Sequence, residues 1–446
     1  MKLWQKSTDV NKTIEAFTVG NDAVLDMELA YYDVVGSMAH ARMLEKAGIL
    51  SKDENFRLQR SLSDILEKIK KEKFIIEEGV EDIHSQVELM LTRSLGETGK
   101  KIHTGRSRND QVLLDLRLFL RQALFQIVRH AGSLFQRLIS LSNQYQHIIL
   151  PGYTHFQVAM PSSFGLWFGA YAESLVDDLA LLKGAFWVIN RNPLGSAAGY
   201  GSSFPLDRRM TTDLLAFESM NYNVVYAQMG RGKTEKVMMT ALGSIADTLA
   251  KFSYDICLYM SQNFGFISFP DEYTTGSSIM PHKKNPDVFE LIRGKCNRVR
   301  ALPNEVGMMS GNLPSGYHRD MQLLKESLFS GIRIIEDCLF MMDFMLEKIY
   351  INENILKDDR YQYMYSVESV NELVRQGKSF RDAYREVGEM IATGKYRPGE
   401  MLRHTHEGSL GNLMNHRIEA LMKELLDFFT EKENQINKSI LDLTGS

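Results

Sequence analysis

The chain has 446 residues, 44% of them hydrophobic, and a formal net charge of −4 at pH 7. A chain of this length can bury a large core and can form more than one domain. Its small net charge, with both signs interspersed, argues against nucleic acid or an anionic membrane as the main partner.

The cysteines and the first residues bear on the compartment. Only Cys257, Cys296 and Cys338 occur, and such a sparse, odd set predicts reduced thiols rather than a disulfide framework. The start lacks the apolar run of a signal peptide, and no stretch is long and apolar enough to span a membrane. We therefore expect a soluble cytoplasmic enzyme.

Helices are predicted from the start of the chain. Candidate helices cover 22–47, 52–71 and 81–95, and we expect residues 1–105 to form an N-terminal helical domain. The first 150 residues contain no proline, which would break helix interiors.

The central part of the chain predicts much longer helices. Apolar residues recur at steps of three and four through 112–138 and 238–259, and long stretches lack proline. No alternating strand runs with hairpin turns stand out. The pattern predicts an all-α fold with a central bundle of long helices over 106–355. Shorter apolar segments then predict a small C-terminal helical domain, 356–446, ending in a polar tail.

Residues 103–110, HTGRSRND, lie immediately ahead of a long predicted helix. Arginine side chains and backbone N–H groups at a helix N-terminus could bind a carboxylate. A capping turn with surface arginines is an equally good interpretation of the spacing alone.

Residues 151–157, PGYTHFQ, form a predicted turn ahead of another helix. His155 could act as a general acid or base near neutral pH, although an isolated histidine more often has a structural role. A later polar stretch offers Tyr317, Gln322 and Lys325 as contacts, but it could also be an ordinary helix start.

Residues 276–287, GSSIMPHKKNPD, form the most specific motif in the chain. They combine hydroxyl groups with two adjacent lysines, and Asn285 is predicted to cap a helix over 286–301. Hydroxyls, ammonium groups and backbone N–H donors together suit a carboxylate that gains negative charge during a reaction. A solvated linker is the default interpretation of a Gly-Ser stretch, but this motif is too specific for a linker.

Helix length constrains how these stretches can meet. A helix over 110–146 would span about 55 Å at about 1.5 Å per residue, so 103–110 and 151–157 lie at its opposite ends. They can share one site only if a second subunit supplies one of them. We therefore expect a symmetric homo-oligomer with composite active sites.

The loop 276–287 resembles the signature loop of the fumarase/aspartase superfamily, whose members eliminate a group from a succinyl moiety to release fumarate. The string HTGRSRNDQ at 103–111 resembles the branch that cleaves argininosuccinate into L-arginine and fumarate. EDIH at 81–84, PGYTH at 151–155 and KKNPD at 283–287 match the same branch in the same order. The resemblance implies an all-α, three-domain homotetramer, with argininosuccinate as substrate and no metal or organic cofactor.

The resemblance also implies residue roles. Ser277 would be the general base, and Lys283 would help to hold the carboxylate that receives the developing charge. A serine hydroxyl is too weakly acidic to ionise unaided, so lysine charge and backbone donors must favour its alkoxide. His155 would protonate the departing nitrogen, with Glu290 as its carboxylate partner. The positions that match substrate contacts of the family are His84, Ser107, Arg108, Asn109, Thr154, Ser278, Asn285, Tyr317, Gln322 and Lys325.

Two alternatives stay open. A sister enzyme could act on another succinyl-amine such as adenylosuccinate, which His282 favours because many members of the argininosuccinate-cleaving branch have glutamine there. The string at 103–111 argues against it. The chain could also be a structural protein on the same scaffold, as the lens delta-crystallins are. The presence of Ser277, His155 and Lys283 argues against that alternative.

Overall fold

The computed structural model describes residues 11–399 and 404–445, so the two predicted terminal domains are described in part. In chain order the helices are α1 (Lys12–Val19), α2 (Asp22–Asp26), α3 (Ala30–Lys46), α4 (Lys52–Lys70), α5 (Ile83–Leu95), α6 (Glu97–Lys100), α7 (Arg108–Gln144), α8 (Phe164–Ile189), α9 (Arg208–Leu214), α10 (Val224–Met229), α11 (Lys233–Met260), α12 (Asp287–Ser310), α13 (Leu324–Leu346), α14 (Ser366–Arg375), α15 (Phe380–Ala392) and α16 (Asn415–Thr444). The strands are β1 (Ile149–Thr154), β2 (Gln157–Ser163), β3 (Arg191–Asn192), β4 (Ser219–Met220), β5 (Ile267–Ser268), β6 (Thr275–Gly276), β7 (Lys284–Asn285) and β8 (Tyr350–Ile351). They pair two by two: β1 with β2, β3 with β4, β5 with β8 and β6 with β7. Within these described ranges, no helix has the length and apolar character that crossing a membrane requires.

The N-terminal region contains the short helices that the sequence predicts. The predicted helices 52–71 and 81–95 are present as α4 and α5, and α4 begins after Ser51, whose side chain caps its first turn. The prediction of one helix over 22–47 was wrong. The segment divides into α2, a 3₁₀ turn over Met27–Leu29, and α3.

The long helices α7, α8, α11, α12 and α13 pack together as the predicted central bundle. Helix α7 has 37 residues and α11 has 28. The apolar faces of the bundle helices bury large side chains, and Phe125, Phe168, Phe252 and Phe329 are each at most 1% exposed. Burial of such faces is the main force that holds amphipathic helices together. The predicted bundle of long helices is confirmed.

Contacts at the helix ends establish which ends lie together. Arg117, near the start of α7, donates to the carbonyl of Val188 at the end of α8 and to the hydroxyl of Thr234 at the start of α11. Gly232, just before α11, lies so close to Ser310 at the end of α12 that an added Cβ would be 2.6 Å from the Ser310 Cβ. Helices α7 and α11 therefore run in one direction, and α8 and α12 in the other.

The opposite end of the bundle carries a β-hairpin that the sequence analysis did not predict. Strands β1 and β2 pair in antiparallel register around a two-residue loop, His155 and Phe156. Pro151 faces Pro161 across the ladder, and these prolines interrupt the alternating pattern that would reveal the strands. The ring of Tyr153 packs against Phe264, just after α11, with centroids 5.4 Å apart.

The C-terminal region divides between a small cluster and the bundle. Helices α14 and α15 enclose a core of their own that includes Val370, Val387 and Tyr396. The expected polar tail is instead part of α16, a 30-residue helix that returns to pack on α7, α8 and α3. Asn415 at its start donates to the Ser142 hydroxyl of α7 at 2.9 Å. The domain limits given above stay predictions.

Candidate active site

The predicted site residues fall into two groups at opposite ends of the bundle. The cavity group lies where α7 and α11 begin, and the loop group lies where those helices end. The cavity group consists of His84, Ser107, Arg108, Asn109, Tyr317, Gln322 and Lys325. The loop group consists of Thr154, His155, Ser277, Ser278, Lys283, Asn285 and Glu290.

A single cavity of about 500 Å³ brings the whole cavity group together. Its walls come from α2, the start of α5, the start of α7 and the segment 317–325. The further side chains that line it are Asp22, Asp26, Glu81, Asp82, His103, Val112, Arg231 and Arg319. The cavity is therefore lined by both carboxylates and cations.

The stretch 103–110 is fixed at the start of α7 by a capping box. Ser107 is the N-cap residue, and the Asp110 carboxylate accepts from the Ser107 backbone N–H at 2.9 Å. The second Asp110 oxygen accepts from the backbone N–H groups of Gly195 and Ala197, at 3.1 and 2.9 Å. The two interpretations of this stretch are thus compatible, because the capping turn also presents Ser107 and Asn109 to the cavity.

Arginines on one wall are paired with carboxylates of the 81–82 turn. Arg108 contacts Glu81 at 3.1 Å and also forms an ion pair with Asp82. Arg319 reaches the other Glu81 oxygen at 2.7 Å. Asp82 also accepts from the Ser85 backbone N–H and so caps α5. This network holds the arginines in place before any substrate arrives.

Two predicted substrate contacts have partners within the chain. The Lys325 ammonium, almost fully buried, lies between the carboxylates of Asp22 and Asp26, the latter at 2.5 Å. The break in the predicted helix 22–47 lies beside this ion pair, because the 3₁₀ turn Met27–Leu29 begins directly after Asp26. Gln322 donates to the carbonyls of Thr18 and Val19, both at 3.2 Å, at the end of α1.

The two imidazoles of the cavity differ in protonation. His84 Nδ1 lies 2.7 Å from an Asp33 carboxylate oxygen. Burial opposes a charged ring, but the hydrogen-bonded Asp33 carboxylate, together with Asp82 and Asp115, outweighs it and the pKa of His84 rises to about 9. Burial, reinforced by the neighbouring Arg106, lowers the pKa of His103 to about 4. One ring is therefore a cation at neutral pH and the other is neutral.

In the loop group, His155 occupies the strained tip of the β1–β2 hairpin. His155 and Phe156 have φ values of 54° and 57°, the left-handed conformation that a two-residue hairpin turn requires. Glycine or asparagine normally occupies these positions, and other residues there cost roughly 1–2 kcal/mol each. Thr154 and His155 are exposed, and Phe156 is 70% exposed. Strain of this kind is often kept for function.

The loop 276–287 is closed by the β6–β7 ladder, in which Thr275 faces Asn285. The Ser277 hydroxyl oxygen accepts from the backbone N–H groups of Met280 at 3.0 Å and Ile279 at 3.3 Å. Two such donors favour an ionised oxygen over a neutral one. Within the described chain, Lys283 has no ion-pair partner for its ammonium group.

The predicted cap and end of the following helix were wrong. Asn285 lies in β7, its amide 3.5 Å from both the Thr275 hydroxyl and the Gly276 carbonyl, so it does not cap the helix. Pro286 occupies the N-cap position, and α12 continues to Ser310 instead of ending at residue 301. Among the described residues, neither His155 nor Glu290 has a side-chain hydrogen bond or ion pair.

Sequence reasoning missed several charged residues of the cavity, namely Asp22, Asp26, Arg231 and Arg319. One signal was available: Asp22 and Asp26 are four residues apart and so lie on one face of a helix. Arg231 gave none, because its buried partner Glu235, at 2.7 Å, is four residues away in the sequence, the spacing of an ordinary surface pair on a helix.

A lyase family model matches residues 5–301. The argininosuccinate lyase of Bacteroides thetaiotaomicron is 58% identical over 428 residues, which are 96% of this chain and 96% of that protein. That of Parabacteroides distasonis is 57% identical over 441 residues, 99% of each. The chain belongs to the argininosuccinate lyase family.

Membership of the argininosuccinate lyase family agrees with the fold. The solved structure of EDDS lyase in complex with formate superposes with a TM-score of 0.78 at 19% identity, covering 99% of this chain and 97% of that one. At this identity the likeness shows the fold alone. It confirms the predicted all-α lyase architecture.

Proposed function

We propose that this lyase cleaves argininosuccinate into L-arginine and fumarate. The observation that carries the proposal is the nearly full-length identity of 56–59% to argininosuccinate lyases. Argininosuccinate carries carboxylates, an ammonium group and a guanidinium group. A cavity lined by Arg108 and Arg319 as well as Asp82 and Glu81 can pair with both kinds of charge.

The proposed reaction begins at the loop group. Ser277 removes a proton from the carbon beside a succinyl carboxylate, with its alkoxide favoured by the N–H groups of Ile279 and Met280. The electron pair delocalises into that carboxylate, whose added charge Lys283 stabilises. The C–N bond then breaks, its electrons leave with the guanidino nitrogen, and His155 protonates that nitrogen. The reaction needs only acid–base groups and fixed charge, so neither a metal nor an organic cofactor is part of the proposal.

One chain cannot assemble this site. The cavity group and the loop group are separated by α7 and α11, which span about 55 Å and about 42 Å at the ordinary helical rise. We propose that other subunits of a homotetramer bring their loop groups to each cavity. Exposed apolar side chains on the bundle support this, with Leu291, Met308 and Phe340 each more than half exposed. Association of subunits through the bundle would remove such side chains from water, which favours assembly.

We also place the enzyme in the cytoplasm. The three cysteines are free thiols in the structure, as a reducing compartment favours.

The test mixes the purified protein with argininosuccinate and follows fumarate by its ultraviolet absorbance, with adenylosuccinate in a parallel cuvette. The proposal predicts fumarate and arginine in equal amounts from argininosuccinate alone. Fumarate from adenylosuccinate would favour the sister enzyme. No turnover from a folded tetramer would favour a structural role.

A further inference from the structure

A buried cluster of polar side chains lies behind the His84 ring. Asp33 of α3 and Asp115 of α7 face the same ring nitrogen, with Nδ1 at 2.7 Å from Asp33 Oδ1 and 3.6 Å from Asp115 Oδ2. Both aspartates are at most 2% exposed. The His84 ring itself lines the cavity, so the cluster supports a cavity wall from behind.

The two aspartates are not equivalent. Asp33 Oδ1 accepts from His84 and also from the Gln111 amide at 3.3 Å, which orients the carboxylate. The 3.6 Å separation puts Asp115 beyond a good hydrogen bond. Burial, together with the adjacent Asp33 charge, raises the pKa of Asp115 well above its usual range. Asp33 is therefore the carboxylate that binds and orients the ring directly, and Asp115 is a more distant neighbour.

We infer that Asp33 is a positioning residue that keeps His84 protonated and oriented, so that Nε2–H is presented to a substrate carboxylate. An ionised carboxylate only accepts hydrogen bonds, so Nδ1 must be the donor to Asp33. Nε2 is then the ring nitrogen that remains for the cavity. This assignment rests on the proposed cleavage of argininosuccinate, whose carboxylates are the anions that the cavity would receive.

The charge balance gives the inference a pH signature. His84 is cationic at low pH with or without Asp33, and with Asp33 it loses its proton only near pH 9. Without Asp33, burial would dominate and the ring would be neutral at weakly alkaline pH. The titratable and charged groups near His84 are Asp33 from α3, Asp115 from α7, Asp82 at the start of α5, and His103 and Arg106 from the turn before α7.

A metal site is the competing interpretation of the same residues. Asp33, His84 and Asp115 each offer one ligand atom, and these atoms lie within 4.8 Å of one another. A metal would need the Nδ1 lone pair, however, and the contact with Asp33 requires a proton there. The hydrogen-bonded interpretation accounts for the 2.7 Å separation directly.

The experiment measures kcat and KM for argininosuccinate at about pH 5 and about pH 8, on either side of the ordinary histidine pKa, with the lower value well below it because burial lowers the pKa of the ring when Asp33 is absent. The variants are Asp33→Asn, His84→Gln, the double variant, and Asp115→Asn as the matched control. Loss of one charge-assisted hydrogen bond should raise the KM of Asp33→Asn about ten- to a hundredfold at the higher pH. At the lower pH the increase should be much smaller, and kcat should change less than KM.

The double variant separates positioning from general structural damage. Asp33 acts through His84, so Asp33→Asn should add little once His84 is glutamine. Asp115→Asn should raise KM much less than Asp33→Asn does, because Asp115 lies 3.6 Å from the ring nitrogen and makes no good hydrogen bond to it. An equal rise in KM at both pH values, or a full additional loss in the His84→Gln background, would overturn the inference.

Ligand binding keeps the test independent of turnover. Calorimetry should show that the wild type keeps its affinity for fumarate up to about pH 8. The affinity of Asp33→Asn for fumarate should be lost as the pH rises to that value. If the wild type fails to cleave argininosuccinate, the proposed function fails while this titration still decides the role of Asp33. If Asp33→Asn does not fold, the wild type and His84→Gln are compared instead. The pH dependence of their fumarate binding then decides whether a protonated His84 binds the anion. Stoichiometric binding of zinc ions that Asp33→Asn abolishes would establish the metal interpretation instead.

Discussion

The charged groups at the two ends of the helix bundle differ in burial and in ion pairing. At the cavity end charged side chains are paired with one another, and the ammonium of Lys325 is also buried, between Asp22 and Asp26. At the loop end Lys283 and Glu290 are exposed and, in the described chain, have no ion-pair partner. The cavity end is organised by folding alone, whereas the loop end is left open.

This difference follows from where each group would do its work. Buried charges must be paired when the chain folds, because an unpaired buried charge is strongly destabilising. Catalytic groups that meet substrate only after subunits assemble can stay hydrated until then. The left-handed turn at His155 and Phe156 and the N–H donors around Ser277 show that the loop end is nevertheless shaped in advance.

The largest effect should come from the proposed base. Ser277→Ala should lower kcat by about a hundred- to ten-thousandfold, the usual contribution of a general base. The dissociation constant for fumarate should change little, because the cavity end is untouched. Steady-state kinetics and calorimetry on the same preparation check both statements. Turnover near that of the wild type would remove Ser277 from the mechanism.

The free energy of unfolding tests the ion pairs at the cavity end. Lys325→Met leaves two carboxylates without their cation, and removing one partner of a buried ion pair typically costs about 3–5 kcal/mol in the free energy of unfolding. Urea unfolding at matched protein concentration measures this loss. Lys348→Met is the control, because that ammonium is 47% exposed and pairs with Glu347, and we expect a change within about 0.5 kcal/mol. Equal losses in both variants would contradict the account of the cavity end.

The smallest effect should come from the strain at the loop end. Phe156→Gly removes the cost of a left-handed phenylalanine, and after the entropy of glycine is subtracted we expect a gain of about 1 kcal/mol. The midpoint of urea unfolding should rise. A fall would show that the exposed Phe156 ring contributes packing that outweighs its backbone strain.

Local sequence patterns were enough to predict the long helices. They could not predict the features that depend on contacts between distant parts of the chain. Spacing at three and four residues and the absence of proline suffice for α7 and α11. The break after α2 accompanies an ion pair between Asp26 and Lys325, which are 299 positions apart in the sequence, and no local pattern reports such a contact. Asn285 was predicted as a cap from its neighbours, but pairing with Thr275 across the loop places it in a strand.

The candidate site was predictable to a similar degree. Helix length alone separates 103–110 from 151–157, and the structure adds the loop 276–287 to the second group. The roles of Ser277 and His155 came from resemblance, and they stay predictions. The support behind His84 could not be read from the sequence, because Asp33 and Asp115 come from separate helices and look like ordinary helical acids.

The central claim is that the two ends meet only between subunits. Mixing the inactive variants Asn109→Ala, from the cavity group, and Ser277→Ala, from the loop group, tests it most directly. After subunit exchange, some sites would combine an intact cavity with an intact loop, and activity should return to roughly a quarter of the wild type if subunits mix at random. Mixing Ser277→Ala with Lys283→Ala is the control, because both residues belong to one loop and no site would regain both. Recovery in the first mixture alone is the predicted result, and no recovery after confirmed exchange would contradict a site shared between subunits.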